Sequence, residues 1–573
     1  MKKWLCDNSA CMSPAILLWM VLVFLIAMRP IEDFDTFWQM QSGKHIWQTK
    51  SFIYTDTFSL AADAFRLEHC WLSDLIFYFL YSLGGFVLLN LIKPLTILLC
   101  IWLLWRWNSR REVPTAISLP VLSLCLLASQ PSWLERPQLW TFILAILYLH
   151  LLWQGRENGL RSWLWLVPLM VFWANLHAAC IFGFALIGLF GVGEIVRAVL
   201  RQTPWNRVGE LVLAGLLVLA ASFINPYGYR IPAMLFEFIN LHDIELPTMT
   251  GNMEWLPPTL AQVPLFYVVM TLWGLLLLVR LRRVDPAEPI FFAAFLYMGL
   301  SMIRHTTLVS LLAGFFLPGA IWAIVMPRWQ QVQPRRMIEA SLRWGTLTVI
   351  GILLASSGAH GELGLGLRQS QYPVAATDFV LRERLPTNLY NAYDWGGYLM
   401  WRLYPDYLVF VDGRQDSPEL FLASNVIDEA QPGWQGILDH YRVNTLITRT
   451  CYFDTGGPLK LINVLSESLD WALVYRDEVA VVYVRRSAVD PGLLSFELRP
   501  QEAFFTMKAE AARLYADDPV RSRALLSMGR AAARMGEVAE ARRRYAEYLE
   551  RMPGDPEARA ALQLLADHSG NGR

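Results

Sequence analysis

Charge is scarce in this chain. Of its 573 residues only 17% are Asp, Glu, Lys or Arg, against roughly 25% in an average soluble domain. With 55% hydrophobic residues and a mean hydropathy of +0.34, that shortage excludes a disordered chain and a plain soluble enzyme. Neither sign of charge prevails. The 49 basic and 49 acidic residues leave a formal net charge of zero, which provides no electrostatic footprint for nucleic acid. Cysteine is sparse as well: the seven stand at 6, 11, 70, 100, 125, 180 and 451. No CxxC and no His/Cys ligand spacing connects them, so there is no sign of a structural zinc site or a disulfide framework. A Walker loop, a dinucleotide-binding fingerprint and a nucleophile elbow are also missing, which argues against nucleotide-driven chemistry.

What the chain has in quantity is long apolar runs. They lie near 14–28, 72–105, 113–128, 137–153, 162–176, 178–196, 208–224, 263–280, 288–303, 306–326 and 342–357. Measured against the ~20 residues of a full span, they predict an α-helical polytopic membrane domain over 1–357 with about eleven spans. Gly84-Gly85 should split the 72–105 run into an interfacial helix and a span. Many of the 24 Trp residues sit at run ends, where membrane interfaces favour them. Basic residues mark every second loop: Lys2/Lys3, Arg106/Arg110/Arg111, Arg156/Arg161, Arg197/Arg201/Arg207, Arg280/Arg282/Arg283 and Arg328/Arg335/Arg336. An N-terminus on the cytoplasmic side satisfies the whole set and leaves the C-terminal region outside. Met28-Arg29-Pro30 offers no small-residue cleavage site, so the first span reads as an uncleaved anchor.

Two further parts follow. Over 365–490, β-rich runs at 407–411, 443–448 and 479–484 alternate with amphipathic stretches near 373–384, 418–428 and 457–467, the pattern of a small α/β domain. Over 500–566 there is no strand signal. Within it, residues 522–555 place Gly529, Ala541, Tyr545 and Pro553 at the small, small, aromatic and proline positions of a tetratricopeptide repeat. Such a helical tail either docks a protein partner or caps the α/β domain.

The first outer loop, 29–71, carries Glu32, Asp33 and Asp35 directly after a span. Carboxylates at a membrane boundary face water or a cavity. Glu32 with Asp33 forms a pair of like charges suited to a divalent cation, Mg or Mn. Phe34, Phe37, Trp38, Ile46, Trp47 and Phe52 should pack as one interfacial layer. Further polar residues fall on the same outer side of this topology: Arg136, Asn175 and His177, the stretch from Asn225 to Glu254, and Arg304 with His305. Taken singly, each has an ordinary reading: Arg snorkels to headgroups, His caps a helix end, and Gly396-Gly397 makes a tight turn.

An Asp-x-Asp-type motif after the first span, in a long first outer loop of a polytopic protein, resembles the GT-C superfamily of membrane glycosyltransferases. More narrowly, the chain resembles a poorly characterised bacterial branch with an outer α/β domain. The matching segments are Asp35 to Gly43, Asp56-Thr-Phe-Ser59, Arg136-Pro137, Asn175-Leu-His177, Asn225-Pro-Tyr-Gly228, Glu254-Trp255, Arg304-His305 and Asp394-Trp-Gly-Gly-Tyr398. The last looks distantly like the acceptor-recognition motif of oligosaccharyltransferases. The resemblance implies a polyprenyl-phosphate-linked sugar donor and an acidic residue of the first outer loop as base or metal ligand.

Such a transferase needs a carboxylate to take the acceptor's proton and cations to meet the departing phosphate. Asp33, Asp35 and Glu254 are the catalytic candidates. Arg136 and Arg304 suit the phosphate, because a guanidinium donates two parallel hydrogen bonds. His177, His305, Asp394 and Trp395 are candidate substrate contacts. The expected function is an inverting glycosyltransferase of the bacterial inner membrane, acting on its outer face with membrane lipid as partner. Oligosaccharyltransferase-like transfer to protein is the near alternative. A non-enzymatic envelope assembly or export factor, docking partners through 500–566, is the distant one. A transporter is disfavoured by the lack of paired broken-helix repeats.

Overall fold

The computed structural model describes residues 13–61, 66–231, 233, 253–329, 335–414 and 417–570. Lys2, Lys3, Cys6, Cys11 and most of the stretch from Asn225 to Glu254 lie outside these or within the gaps between them.

The chain divides into two compact units. The first comprises residues 1–33, 42–53 and 67–367, and the second 34–41, 54–66 and 368–573. The later division falls between residues 367 and 368, and the first outer loop is shared out between the units.

The first unit is helical: α1 (Pro14–Ala27), α2 (Asp35–Thr49, its second half), α3 (Trp71–Asn90), α4 (Ile92–Arg110), α5 (Thr115–Ala128), α6 (Gln138–Asn158), α7 (Leu166–Leu176), α8 (Ile181–Val199), α9 (Trp205–Ser222), α10 (Pro264–Val279), α11 (Ala287–Ser301), α12 (Ile303–Trp329) and α13 (Arg335–Ala359). Among the described residues six helices are long and apolar enough to cross a membrane: α3, α6, α8, α9, α12 and α13, and five shorter apolar helices accompany them. The chain is a multi-pass membrane protein in this sense. The 72–105 run is broken as its glycines require, with Gly84 and Gly85 leaving helical geometry, Gly85 at φ +60°. Aromatic rings fill the interior; Trp273 stacks on Phe316 at 5.0 Å and Trp107 on Phe315 at 4.3 Å. At the helix ends, Arg156 binds both Glu194 (2.7 Å) and Asp285 (2.6 Å), so the charges there are mutually satisfied.

The second unit holds α14 (Val374–Glu383), β1 (Leu389–Asn391), α15 (Gly396–Leu403), α16 (Pro418–Asp428), α17 (Trp434–His440), β2 (Thr445–Thr448), α18 (Lys460–Glu467), β3 (Trp471–Arg476), β4 (Val481–Arg485), and four tail helices α19 (Glu502–Asp517), α20 (Arg523–Arg534), α21 (Val538–Arg551) and α22 (Pro556–Gly570). The sheet order is β1-β2-β4-β3. β1 and β2 run parallel through a helical crossover, while β3 and β4 form an antiparallel hairpin. Asp477 closes its turn by accepting from the backbone N–H groups of Val479 and Ala480.

One expectation is corrected here. Residues 407–411 are extended but join no sheet strand. Val409 N–H donates to Phe58 O, and Leu60 N–H to Val409 O, so the partner of this run lies in the first outer loop. The tail helices share the core of the α/β part. One hydrophobic core runs from Tyr390 and Phe410 through Leu473 and Tyr483 to Phe504, Leu525 and Tyr548. Within it Gly529 meets the Tyr545 ring, where an added Cβ would come within 2.8 Å. The aromatic layer of the outer loop is likewise divided. Phe34 and Phe37 pack on Tyr372 in the second unit, while Trp47 packs on Phe79 and Phe52 on Trp71 in the first. The five cysteines among the described residues are buried.

Candidate functional site

The segment after α1 is held in place by its backbone. Ile31 N–H donates to Gly366 O at 2.7 Å and Gly364 N–H to Met28 O at 3.1 Å. The carbonyl of Arg29 accepts from Asn90 Nδ2 (2.7 Å) and Lys93 Nζ (3.0 Å). This places Asp33, only 3% exposed, against Arg136, which precedes α6 with Pro137 as that helix's cap. Arg136 Nε and Nη2 both reach Asp33 Oδ1, at 2.8 and 2.6 Å. Its Nη1 donates to both oxygens of Glu254 at 3.1 Å. One guanidinium thus bridges two carboxylates that are more than two hundred residues apart in sequence.

Glu254 lies in a short 3-10 turn, Met253–Trp255. Ile303 N–H ties this turn to the start of α12 by donating to Leu256 O at 3.0 Å. Arg304 then lies over the Trp255 ring, 4.5 Å from its centroid. The Arg136 charge holds the Glu254 carboxyl below its ordinary value. Burial opposes that, and Arg304 adds to it. Asp33, Arg136, Glu254 and Arg304 therefore make one electrostatic group.

The two histidines each contact a neighbouring polar group. His177 pairs with Thr141 Oγ1 at 2.8 Å, and that oxygen also accepts from Trp173 Nε1 at 3.0 Å. The hydroxyl oxygen can accept two hydrogen bonds, so this contact fits either neutral tautomer of the ring. Burial, with smaller contributions from His69 and Arg304, depresses the His177 pKa to about 3 and keeps the ring neutral. His305 Nδ1 contacts the Met298 carbonyl at 3.2 Å, and its ring meets Phe182. Asn175 and Asn225 satisfy backbone groups: Asn175 Nδ2 donates to Val171 O and Ile224 O, and Asn225 Oδ1 accepts from Tyr227 N–H.

Asp35 belongs to the second unit. Its Oδ1 accepts from Trp38 Nε1 at 3.1 Å and lies against Gly413, where a Cβ would approach it to 2.5 Å. Gly396 and Gly397 are close-approach positions as well. A Cβ on Gly396 would strike the Val411 carbonyl at 2.2 Å, and one on Gly397 the Phe34 carbonyl at 2.8 Å. Trp395 is fully buried, its indole N–H bonded to Gln371 O and the Arg449 guanidinium over its ring at 4.6 Å. Trp395 is thus part of the packing of the second unit. Asp394 faces Arg449 at 3.4 Å, and burial raises its pKa to about 6 despite that cation. Arg414 is wholly buried between Asp56 (2.9 Å) and Asp412 (2.7 Å), so the Asp56-Thr-Phe-Ser59 segment serves architecture.

Neither Glu32 nor Asp33 joins a metal-ligand cluster. Among the described residues no three His, Cys, Asp or Glu side chains gather into one. The two carboxylates that converge do so on a guanidinium. Sequence reading also missed the Lys93–Glu135 ion pair, 2.8 Å long with both side chains nearly inaccessible. A lysine within an apolar run was the available signal.

No known family profile and no curated protein matches the sequence. Solved structures do match in shape. The archaeal oligosaccharyltransferase AglB of Archaeoglobus fulgidus, solved with an inhibitory peptide and a dolichol-phosphate, aligns over 95% of this chain and 86% of its own, with a TM-score of 0.57 at 10% identity. ArnT of Cupriavidus metallidurans aligns over 83% of this chain and 97% of its own, with a TM-score of 0.48 at 14% identity. Apo A. fulgidus oligosaccharyltransferase aligns over 79% and 71%, with a TM-score of 0.48 at 9% identity. The fold of this chain is thus similar to that of the archaeal oligosaccharyltransferase AglB.

Proposed function

We propose that this protein is a GT-C-type glycosyltransferase of the bacterial inner membrane, with a cytoplasmic N-terminus. It moves a sugar from a polyprenyl-phosphate donor to an acceptor on the outer face. The observation that carries the reading is the Arg136 bridge between Asp33 and Glu254, with Arg304 beside it, in a fold like that of AglB.

Roles follow from exposure. Asp33 is almost inaccessible and fixes Arg136, whereas the Glu254 side chain is 36% exposed and can reach an acceptor hydroxyl. A carboxylate held ionised by cations is a weak base. It takes the proton only as the new bond to the anomeric carbon forms and the hydroxyl becomes acidic. Arg304, braced on Trp255, meets the phosphate as it departs with the bonding electrons. A single displacement of this kind inverts the anomeric centre. The helical pair around Gly529 and Tyr545 supports a tetratricopeptide-like surface for a protein partner.

The test is transfer by the purified full-length protein from a panel of short-chain polyprenyl-phosphate hexoses. Glu254→Gln and Arg304→Gln should each lower turnover by about a hundredfold while leaving thermal unfolding near wild type. Turnover unaffected by either change would refute the assignment. Full loss with Asp35→Asn alone would move the base to the second unit.

A further inference from the structure

Beside this site lies a cavity of about 350 Å³ within the first unit. Its walls come from the segments that carry Asp33, Arg136 and Glu254: Arg29 and Glu32, the stretch before Arg136, and residues 262–266 at the start of α10. Lys93 of α4 completes the polar wall, and Leu265 and Phe266 belong to an apolar wall.

The polar wall has unused donors. Arg29 Nη2 reaches Glu362 at 3.0 Å, but the two side chains are 31% and 43% exposed, so that pair is weak. Arg29 Nε is buried and makes no hydrogen bond among the described residues. Lys93 Nζ has three N–H groups and uses two, on Glu135 and on Arg29 O. Gln262 turns its amide oxygen to Thr259, accepting from its N–H and its hydroxyl, which leaves the NH₂ group outward. Three donors, two of them cationic, thus border a cavity whose other wall is apolar. A buried donor without a partner is destabilising, and a ligand oxygen would relieve it. Cationic donors of this kind are matched best by phosphate oxygens.

We propose that this cavity binds the headgroup of a bilayer phospholipid. Arg29, Lys93 and Gln262 hold its phosphate, Glu32 takes the hydrogen-bond donor next to the phosphate, and Leu265 and Phe266 receive the start of the acyl region. Free phosphate has the same anionic chemistry but no use for the apolar wall, and basic pockets between membrane helices are common headgroup sites. The proposal holds whether or not the transferase reading does.

The experiment is native mass spectrometry of the delipidated full-length protein in detergent, titrated with dioleoyl phosphatidylethanolamine. Dioleoylglycerol and inorganic phosphate are the comparison arms. One phospholipid should bind well above the rest, and dioleoylglycerol should not compete. Arg29→Gln should weaken that site about tenfold, the worth of one charged hydrogen bond. Ala128→Trp, which fills the cavity from α5, should abolish it. Arg304→Gln should leave it intact. Displacement of the lipid by inorganic phosphate alone, or loss of the lipid in Arg304→Gln, would overturn the proposal. So would undiminished binding in Ala128→Trp, a variant that removes no charge and so keeps the test open should Arg29→Gln fold poorly.

Discussion

Removing Arg136 should cost stability before it costs chemistry, and the cost can be worked out from the exposure of its two partners. The Asp33 side chain is 1% exposed, and Arg136 holds it with two nitrogens. Arg136→Gln leaves that carboxylate charged and buried, a loss of about 3–5 kcal/mol. Glu254 is 36% exposed, so water replaces its partner and its share is below about 1 kcal/mol. The second change decides the matter. Arg136→Gln/Asp33→Asn removes the stranded charge and should recover most of the loss, whereas Arg136→Gln/Glu254→Gln should recover little. Thermal unfolding in one detergent, at fixed lipid and protein concentration and followed by tryptophan fluorescence, reads the series. An Arg136→Gln protein within about 1 kcal/mol of wild type would refute the buried-bridge argument. So would an Asp33→Asn double variant no better than the single.

The same logic makes Arg414→Met, which strands the buried Asp56 and Asp412, destabilise the second unit by about 3–5 kcal/mol; protease resistance at residues 368–570 reports it. A 368–573 fragment lacks Asp56 and the strand partner of Val409, and should be less resistant than the same region in the full chain; equal resistance would count against the shared loop. Because Asp394 titrates near 6 when folded and near 3.8 otherwise, the folded state binds its proton between those values. Its contribution to stability is present below about pH 4 and lost as pH rises through about 6. Asp394→Asn should therefore gain stability relative to wild type from pH 4 to pH 7, and parallel pH curves would refute this. Gly529→Val, with Tyr545 2.8 Å from the new Cβ, should destabilise the tail helices by about 1–3 kcal/mol, measured by hydrogen exchange in α20 and α21. Reporter fusions after Arg111 and after Gly361 should report opposite sides of the membrane.

Composition and periodicity revealed the helical unit because burial in lipid leaves its mark on every residue of a span. The Gly84-Gly85 break, the amphipathic helices α14, α16 and α18, and strands β2 and β4 were legible for the same local reason. Residues 407–411 show where local signals fail. Their extended form was readable, but their pairing with Phe58 and Leu60 was not. At the site, residue type and shared membrane side brought Asp33, Arg136, Glu254 and Arg304 onto one list. Nothing in linear sequence showed that Arg136 would bind both carboxylates, or that Asp35, two residues from Asp33, would pack with Trp38 and Gly413 instead. The burial of Trp395 was not legible either, because a motif resemblance carries no information on burial.

The shared first loop also sets a timetable. Asp56 and its partner Arg414 are separated by 358 residues. At roughly 5–20 residues per second of synthesis, Asp56 is made about 20–70 s before the cation that neutralises it. Throughout that interval the ribosome is still delivering the later apolar helices, while Phe34, Phe37 and Phe58 have no finished unit to bury them. The nascent protein is thus most vulnerable midway through translation, with an aromatic, acidic segment awaiting its other half. A cysteine replacing Ser59, which is 4% exposed in the finished fold, should react with a thiol reagent in chains arrested before residue 414. In released chains it should be protected.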